Sequence, residues 1–187
     1  QRVTVPANDR VEVRFPAETE NAGTARVRFA AVSDALADAA QVAMRALEGF
    51  SGDVVLLYGD GALITADTLR ALREARGDLA LSLLTHVPPD PTGLGRVLRD
   101  QSGAVMAVRE ERDCSEIERQ VDEVNSGFYC FDAARLPAAL SALTRSNAQA
   151  EYYLTDTIAH FLERGDGVVA VQTEDFEETQ AVNSLDE

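Results

Sequence analysis

The stretch that most narrows what this chain can fold into is Val54–Leu63. Its first five residues, Val54, Val55, Leu56, Leu57 and Tyr58, follow one another without a polar break. A strand with one wet face alternates apolar and polar residues. An unbroken apolar run instead predicts a strand buried on both faces, as in a sheet covered by helices. Gly59 ends the run and Asp60 follows at the strand's expected carboxyl end. Ligands of open α/β sheets bind in the crevice beyond such ends. A carboxylate there suits Mg²⁺, which takes one or two carboxylates and leaves its other positions to water and phosphate oxygens. Asp is also a common turn and helix-capping residue, and the run alone favours that plainer reading of Asp60 while leaving the metal open.

Composition removes several function classes. The net charge of -15 argues against a nucleic-acid or anionic-membrane surface, since both need clustered Lys and Arg. It leaves room for phosphate ligands, which need only a local site. Cys114 and Cys130 are the two cysteines, without metal-like spacing. Two cysteines make no disulfide framework, so a reducing cytoplasmic setting is expected. No apolar run reaches the length of a membrane span. No charged-then-apolar leader is visible, and Gln1 at the first position predicts a natural start further upstream. The length suits one well-buried domain with at most a short appendage. His86 and His160 have no matching partner and read as surface or loop histidines.

Two regions differ in period. Val3 and Val5, then Val11, Val13 and Phe15, then Ala25, Val27 and Phe29 are apolar at every second position, with Arg10, Glu12, Arg14, Arg26 and Arg28 between them. That pattern predicts half-buried antiparallel strands separated by turns at residues 6–9 and 20–23. The expected division is a β-rich segment, 1–33, and an α/β domain, 34–187. Ala35–Leu47 is rich in helix formers. Helices are also expected at 65–75, 133–143 and 153–162. Strands are expected at 79–87, 104–108, 124–131 and 167–172. Such alternation argues for layered α/β architecture.

Six motifs then occur in sequence: Leu57-Tyr-Gly-Asp60, Asp90-Pro-Thr-Gly-Leu-Gly-Arg-Val97, Val108-Arg-Glu-Glu-Arg-Asp113, Glu123-Val-Asn-Ser-Gly127, Asn147-Ala-Gln-Ala-Glu-Tyr-Tyr-Leu-Thr-Asp156 and Ala181-Val-Asn-Ser184. In this order, from about residue 47 to 184, they resemble the uridylyltransferase domain of bacterial bifunctional N-acetylglucosamine-1-phosphate uridylyltransferase/glucosamine-1-phosphate acetyltransferases. The resemblance implies a truncated Rossmann-like nucleotidyltransferase fold, with a mixed, mainly parallel sheet and helices on both faces. It implies Mg²⁺ on Asp60 and Asn183. It implies sugar contacts by Gly95, Glu110, Asn125, Tyr153 and Thr155, and a sugar phosphate and UTP as ligands. Residues 2–42, with Val3-Thr-Val-Pro-Ala-Asn8, Arg10-Val-Glu-Val-Arg-Phe-Pro16 and Ala22-Gly-Thr-Ala-Arg-Val-Arg-Phe-Ala-Ala-Val32, also look like a β-sandwich segment of bacterial alpha-macroglobulins.

Read without the family, each motif has a plainer meaning. Gly93 and Gly95 serve a turn, Asn125 ends a strand, Glu110–Asp113 is a solvated charge run, and Tyr152 and Tyr153 are core aromatics. The sequence also departs from the family's pattern. No Gly-rich triphosphate loop precedes Asp60, the uracil-side Gly, Thr and His are absent near Leu36–Gln41, and Ala150 and Ala181 stand where Gly is usual. Three readings follow. One is an impaired Mg²⁺-dependent sugar uridylyltransferase serving cell-wall precursor synthesis. Another is a sugar-phosphate-binding module without catalysis. The third is a non-catalytic chimera carrying an alpha-macroglobulin-like β segment. Oligomeric state is left open.

Overall fold

The computed structural model describes residues 10–14, 26–30, 36–47, 49–57, 61 and 63–180. In chain order it contains β1 (Arg10–Arg14), β2 (Arg26–Ala30), α1 (Leu36–Ala46), β3 (Asp53–Leu56), α2 (Ala66–Arg76), β4 (Leu81–His86), β5 (Arg96–Arg99) and β6 (Val105–Arg109). There follow β7 (Val124–Asp132), α3 (Leu136–Ala142), α4 (Thr157–Arg164) and β8 (Val168–Gln172), with short 3-10 turns between them.

The period-two segments pair as expected, with Val11 opposite Phe29 and Val13 opposite Val27 across β1 and β2. They lie at the edge of one sheet ordered β1-β2-β3-β7-β4-β8, from which the β5–β6 ribbon branches at β7. Among the described residues, β2–β3 and β4–β8 are parallel and the other five pairings antiparallel. The expected parallel bias therefore holds for strand direction, since β2, β3, β4 and β8 point one way. It fails for the pairings, because β7 runs against them between β3 and β4.

β3 is interior, yet its two faces differ. Val54 and Leu56 are buried against the larger core, while Val55 is half-buried on the other side. β4 is buried along its whole length. Its Leu81 and Leu83 join Tyr129 and Phe131 of β7 beneath α1, α3 and α4, where Ala37, Ala40, Leu136, Leu140, Ile158 and Phe161 pack. Leu84 joins Phe128 and Cys130 beneath Leu72 of α2. Ser82 points the same way and donates to the Leu72 carbonyl at 2.6 Å. The result is a three-layer arrangement with helices on both faces. Cys114 and Cys130 are free and buried.

Local chemistry sets the helix ends. Thr65 Oγ1 caps α2 by accepting the Thr68 N–H at 3.2 Å. At its other end Arg76 donates to Asp53 at 2.7 Å and to the Leu79 carbonyl at 2.7 Å, tying α2 to the start of β3. α3 begins later than its composition predicts. Asp132 Oδ1 accepts the N–H groups of Ala134 and Arg135, at 2.9 and 3.0 Å, and so makes a turn first. β5 was not among the expected strands.

His86 corrects the sequence reading. It is 6% exposed, ends β4, and lies with Nδ1 3.2 Å from Thr179 Oγ1 and its ring stacked on Phe176. His160 is half-buried on α4. Among the described residues no helix is long and apolar enough to cross a membrane.

Candidate functional site

Gly95 precedes β5, Glu110 follows β6, and Asn125 is the second residue of β7. Register brings the three together. Arg96 lies opposite both Arg109 and Val124. One step outward along these antiparallel strands, Gly95 stands between Glu110 and Asn125. The Asn125 N–H donates to the Gly95 carbonyl at 2.8 Å. A Cβ on Gly95 would lie 3.2 Å from Val108 Cγ1 and 3.3 Å from Glu110 Oε2. Bare backbone is needed at Gly95 to leave the carboxylate its place, whereas Gly93, with φ +84° and open space around it, is the turn glycine.

Asn125 owes its setting to a bulge. Leu83 pairs with Tyr129 and Thr85 with Asn125, so β4 advances by two residues while β7 advances by four. The extra residues are taken up at Ser126 and Gly127, where Gly127 has φ +79° and Ser126 Oγ donates to the Leu84 carbonyl at 2.7 Å. Bulges of this kind re-aim side chains at strand ends. Asn125 Oδ1 accepts the Gly127 N–H at 3.2 Å, and its Nδ2 donates to the Tyr129 hydroxyl at 2.6 Å. One amide hydrogen and one lone pair are left over for a ligand.

The segment 146–156 closes another side. Asn147 Oδ1 accepts the N–H groups of Gln149 and Glu151, and the Ala148 N–H donates to Asp113 at 3.0 Å. Tyr153 donates to Gln149 Oε1 at 3.0 Å, and the buried Thr155 hydroxyl donates to Glu110 Oε1 at 3.0 Å. Ala150 adopts φ +55°. Thus Gly95, Glu110, Asn125 and Thr155 are linked directly, and Tyr153 stands beside them through the 146–156 segment.

The site's electrostatics are acidic. Burial lifts the Glu110 carboxyl above its usual range, repulsion from Asp156 and Asp113 adds to this, and the Thr155 hydrogen bond opposes it. Burial likewise raises Asp156. Burial and the nearby Asp113 push the Tyr153 hydroxyl up to about 12. Behind the row, Arg99 grips Glu123 with two bonds of 2.7 Å, and Thr85 donates to the same carboxylate at 2.6 Å.

The two expected metal ligands, Asp60 and Asn183, lie outside the described residues, as do Tyr58 and Gly59. Their described neighbours are joined. Glu178 accepts from the Thr65 N–H at 3.3 Å and from the Thr68 hydroxyl at 2.5 Å. Among the described residues no group of three or more His, Cys, Asp and Glu side chains is placed to hold a metal ion. A separate groove of about 520 Å³ lies between α1 and α3, lined by Gln41, Arg45, Phe50, Pro137 and Ser141, away from the Gly95 row. Sequence reasoning did not single out Arg96, Tyr129 or Glu178. The only signal was an Arg between Gly95 and an apolar Val97-Leu98.

No protein-family model matches the chain. It is homologous to bifunctional proteins GlmU. It is 45% identical over 151 residues to that of Paenarthrobacter aurescens, which covers 78% of this chain and 30% of the relative. It is 48% identical over 134 residues to that of Azoarcus, covering 71% and 30%. It is 40% identical over 174 residues to that of Caldicellulosiruptor saccharolyticus, covering 92% and 35%. The chain thus spans about a third of these relatives' length, and the last match extends into residues 1–33. The fold is that of a Bacillus anthracis chain named for glucose-1-phosphate thymidylyltransferase and solved in complex with a sucrose, with a TM-score of 0.56 at 14% identity, covering 78% of this chain and 53% of that one.

Proposed function

We propose that these residues form the sugar-phosphate half of a uridylyltransferase centre that makes UDP-N-acetylglucosamine, a cell-wall precursor, in the cytoplasm. The observation that carries the reading is the row Gly95–Glu110–Asn125 with the Thr155 hydroxyl bonded to Glu110. A carboxylate accepts from sugar hydroxyls, and the spare amide hydrogen and lone pair of Asn125 suit an N-acetyl group. Bare backbone at Gly95 lets a sugar ring approach, and Tyr153 and Thr155 form the wall. Homology to GlmU chains favours uridylyl transfer over another nucleotidyl transfer.

Asp60 and Asn183 would hold Mg²⁺, for which a carboxylate and an amide oxygen are fitting hard donors. The supporting observation is that Thr65, five residues after Asp60, is bonded to Glu178, five residues before Asn183. When bound, the ion neutralises charge on the reacting phosphates. The sugar 1-phosphate attacks the α-phosphorus of UTP and pyrophosphate leaves. The chain's own task is to hold the sugar phosphate in line, since misplacement of about 1 Å costs on the order of a hundredfold in rate. The 187 residues carry no Gly-rich triphosphate loop. Acting alone they bind sugar phosphate and turn over UTP weakly. We read residues 1–33 as the β-rich edge of this unit and 34–187 as its body. The β2–β3 pairing and the extent of the Caldicellulosiruptor match support that division over a foreign appendage.

Calorimetry with N-acetylglucosamine 1-phosphate, together with Mg²⁺-dependent release of pyrophosphate from UTP, tests the reading. Sugar-phosphate binding is expected in the parent and a loss of about tenfold in Asn125→Ala, the scale of one hydrogen bond between polar groups. A parent chain that takes no sugar phosphate refutes the sugar site. Fast pyrophosphate release refutes the impairment.

A further inference from the structure

The reading above leaves Arg96 without a task. Its side chain is 3% exposed, and a buried guanidinium requires a compensating charge. Glu111 supplies it, with Oε2 2.6 Å from Arg96 Nη2, while Nη1 donates to the Leu94 carbonyl. The pair is poorly optimised as hydrogen bonding. Arg96 Nε lacks a hydrogen-bond partner, and Glu111 Oε2, although close, lacks one of bonding geometry. Buried ion pairs of this kind contribute little net stability relative to apolar residues of the same size.

Placement distinguishes this pair. Arg96 directly follows Gly95, and Glu111 directly follows Glu110. Arg96 also faces Val124, which directly precedes Asn125. The ion pair therefore fastens the start of β5 to the turn after β6, and backbone pairing of Arg96 with Val124 joins the start of β7 to them, so the pair stands at the point where the three residues of the row are held. Arg119, 3.9 Å from Glu111 Oε1, and the Cys114 thiol, bonded to the Arg109 carbonyl at 3.4 Å, steady the turn that carries Glu111. We propose that the Arg96–Glu111 pair is a positioning device that fixes Gly95, Glu110 and Asn125 in register for sugar recognition. Its bearing on the sugar rests on the function proposed above. The positioning itself does not.

The test compares Glu111→Gln and the double variant Arg96→Met/Glu111→Leu with the parent. Replacing both charges by apolar groups is expected to leave the melting temperature within a few degrees, so stability and positioning separate. Two quantities are read: hydrogen exchange of the Asn125 amide, relative to Leu83 in the central sheet, and calorimetric affinity for N-acetylglucosamine 1-phosphate. The double variant is expected to exchange selectively at Asn125, about tenfold faster or more, and to lose affinity by a similar factor. Parent-like Asn125 protection and affinity in a stable double variant overturn the proposal. Should the double variant fail to fold, Glu111→Gln decides. Equal acceleration at Asn125 and Leu83 refutes positioning, and selective acceleration at Asn125 supports it. Should the parent take no sugar phosphate, the proposed function falls while the exchange ratio still decides the positioning.

Discussion

Ala150 is the residue whose replacement makes the sharpest stability test. It holds φ +55°, a conformation in which Cβ presses on the following carbonyl. For a residue other than Gly this costs about 1–2 kcal/mol. Gly relieves the strain but gives the unfolded chain more freedom, worth about 0.4–1 kcal/mol. Ala150 is exposed, so removing its methyl group forfeits little packing. The balance is a net gain of about 0.5–1 kcal/mol in Ala150→Gly. For a chain of this size that corresponds to a melting temperature higher by about 1–4 °C. Thermal unfolding followed by circular dichroism measures it, with urea midpoints as a second reading. Ala148→Gly, two residues away and without a positive φ, is the control and is expected to lower stability. An Ala150→Gly protein no more stable than the parent, or a control with the same rise, would refute the reasoning. The gain also reaches the site, because the strained turn holds the Ala148 N–H on Asp113 and Gln149 on Tyr153.

Gly127→Ala is expected to cost about 1–2 kcal/mol, since φ +79° is imposed by the bulge in β7, and urea unfolding will register it. Glu110→Gln should flatten the pH dependence of stability. Burial raises the Glu110 carboxyl above its ordinary 4.5, so the folded state holds that proton more tightly than the unfolded one. The stabilisation is complete below the ordinary value and lost as pH climbs through the raised one. Urea midpoints from acid to neutral pH should therefore fall more steeply in the parent than in Glu110→Gln, and identical slopes would sink the argument. Thr155→Val removes the hydroxyl that holds Glu110 and is expected to weaken sugar-phosphate binding by roughly fivefold to tenfold in calorimetry, with near-parent stability.

Elements with a strong local signature were legible in the sequence. The apolar run at β3, the alternation of β1 and β2, and the amphipathic α2 with Leu72 inward each declare themselves within a dozen residues. What escaped depends on partners far along the chain. Nothing near residue 86 says that its imidazole will meet Thr179, so a buried histidine read as a surface one. The short β5 was hidden because its two apolar residues stand between Arg96 and Arg99, and the burial of Arg96 is explained only by Glu111, far along the chain. Antiparallel insertion of β7 was likewise invisible, since a strand buried on both faces has the same composition in either direction. The residues proposed to face the sugar were legible through motif order alone. Their convergence on one cross-strand row follows from register, which no single motif contains.

β7 is the strand to which β3, β4 and β5 all pair, and it is made late. His86 ends β4, and 37 residues pass before Val124 opens β7. At about 5–20 residues per second, a ribosome takes roughly 2–8 s to cover that distance. Throughout that interval β3 and β4 exist with their shared neighbour unmade, and both are apolar strands with open edges. Unpaired edges of this kind invite association with other chains. The nascent protein is therefore most exposed to aggregation in one definable window of its synthesis, which closes when residue 132 clears the ribosome and the sheet can zip from its centre outward.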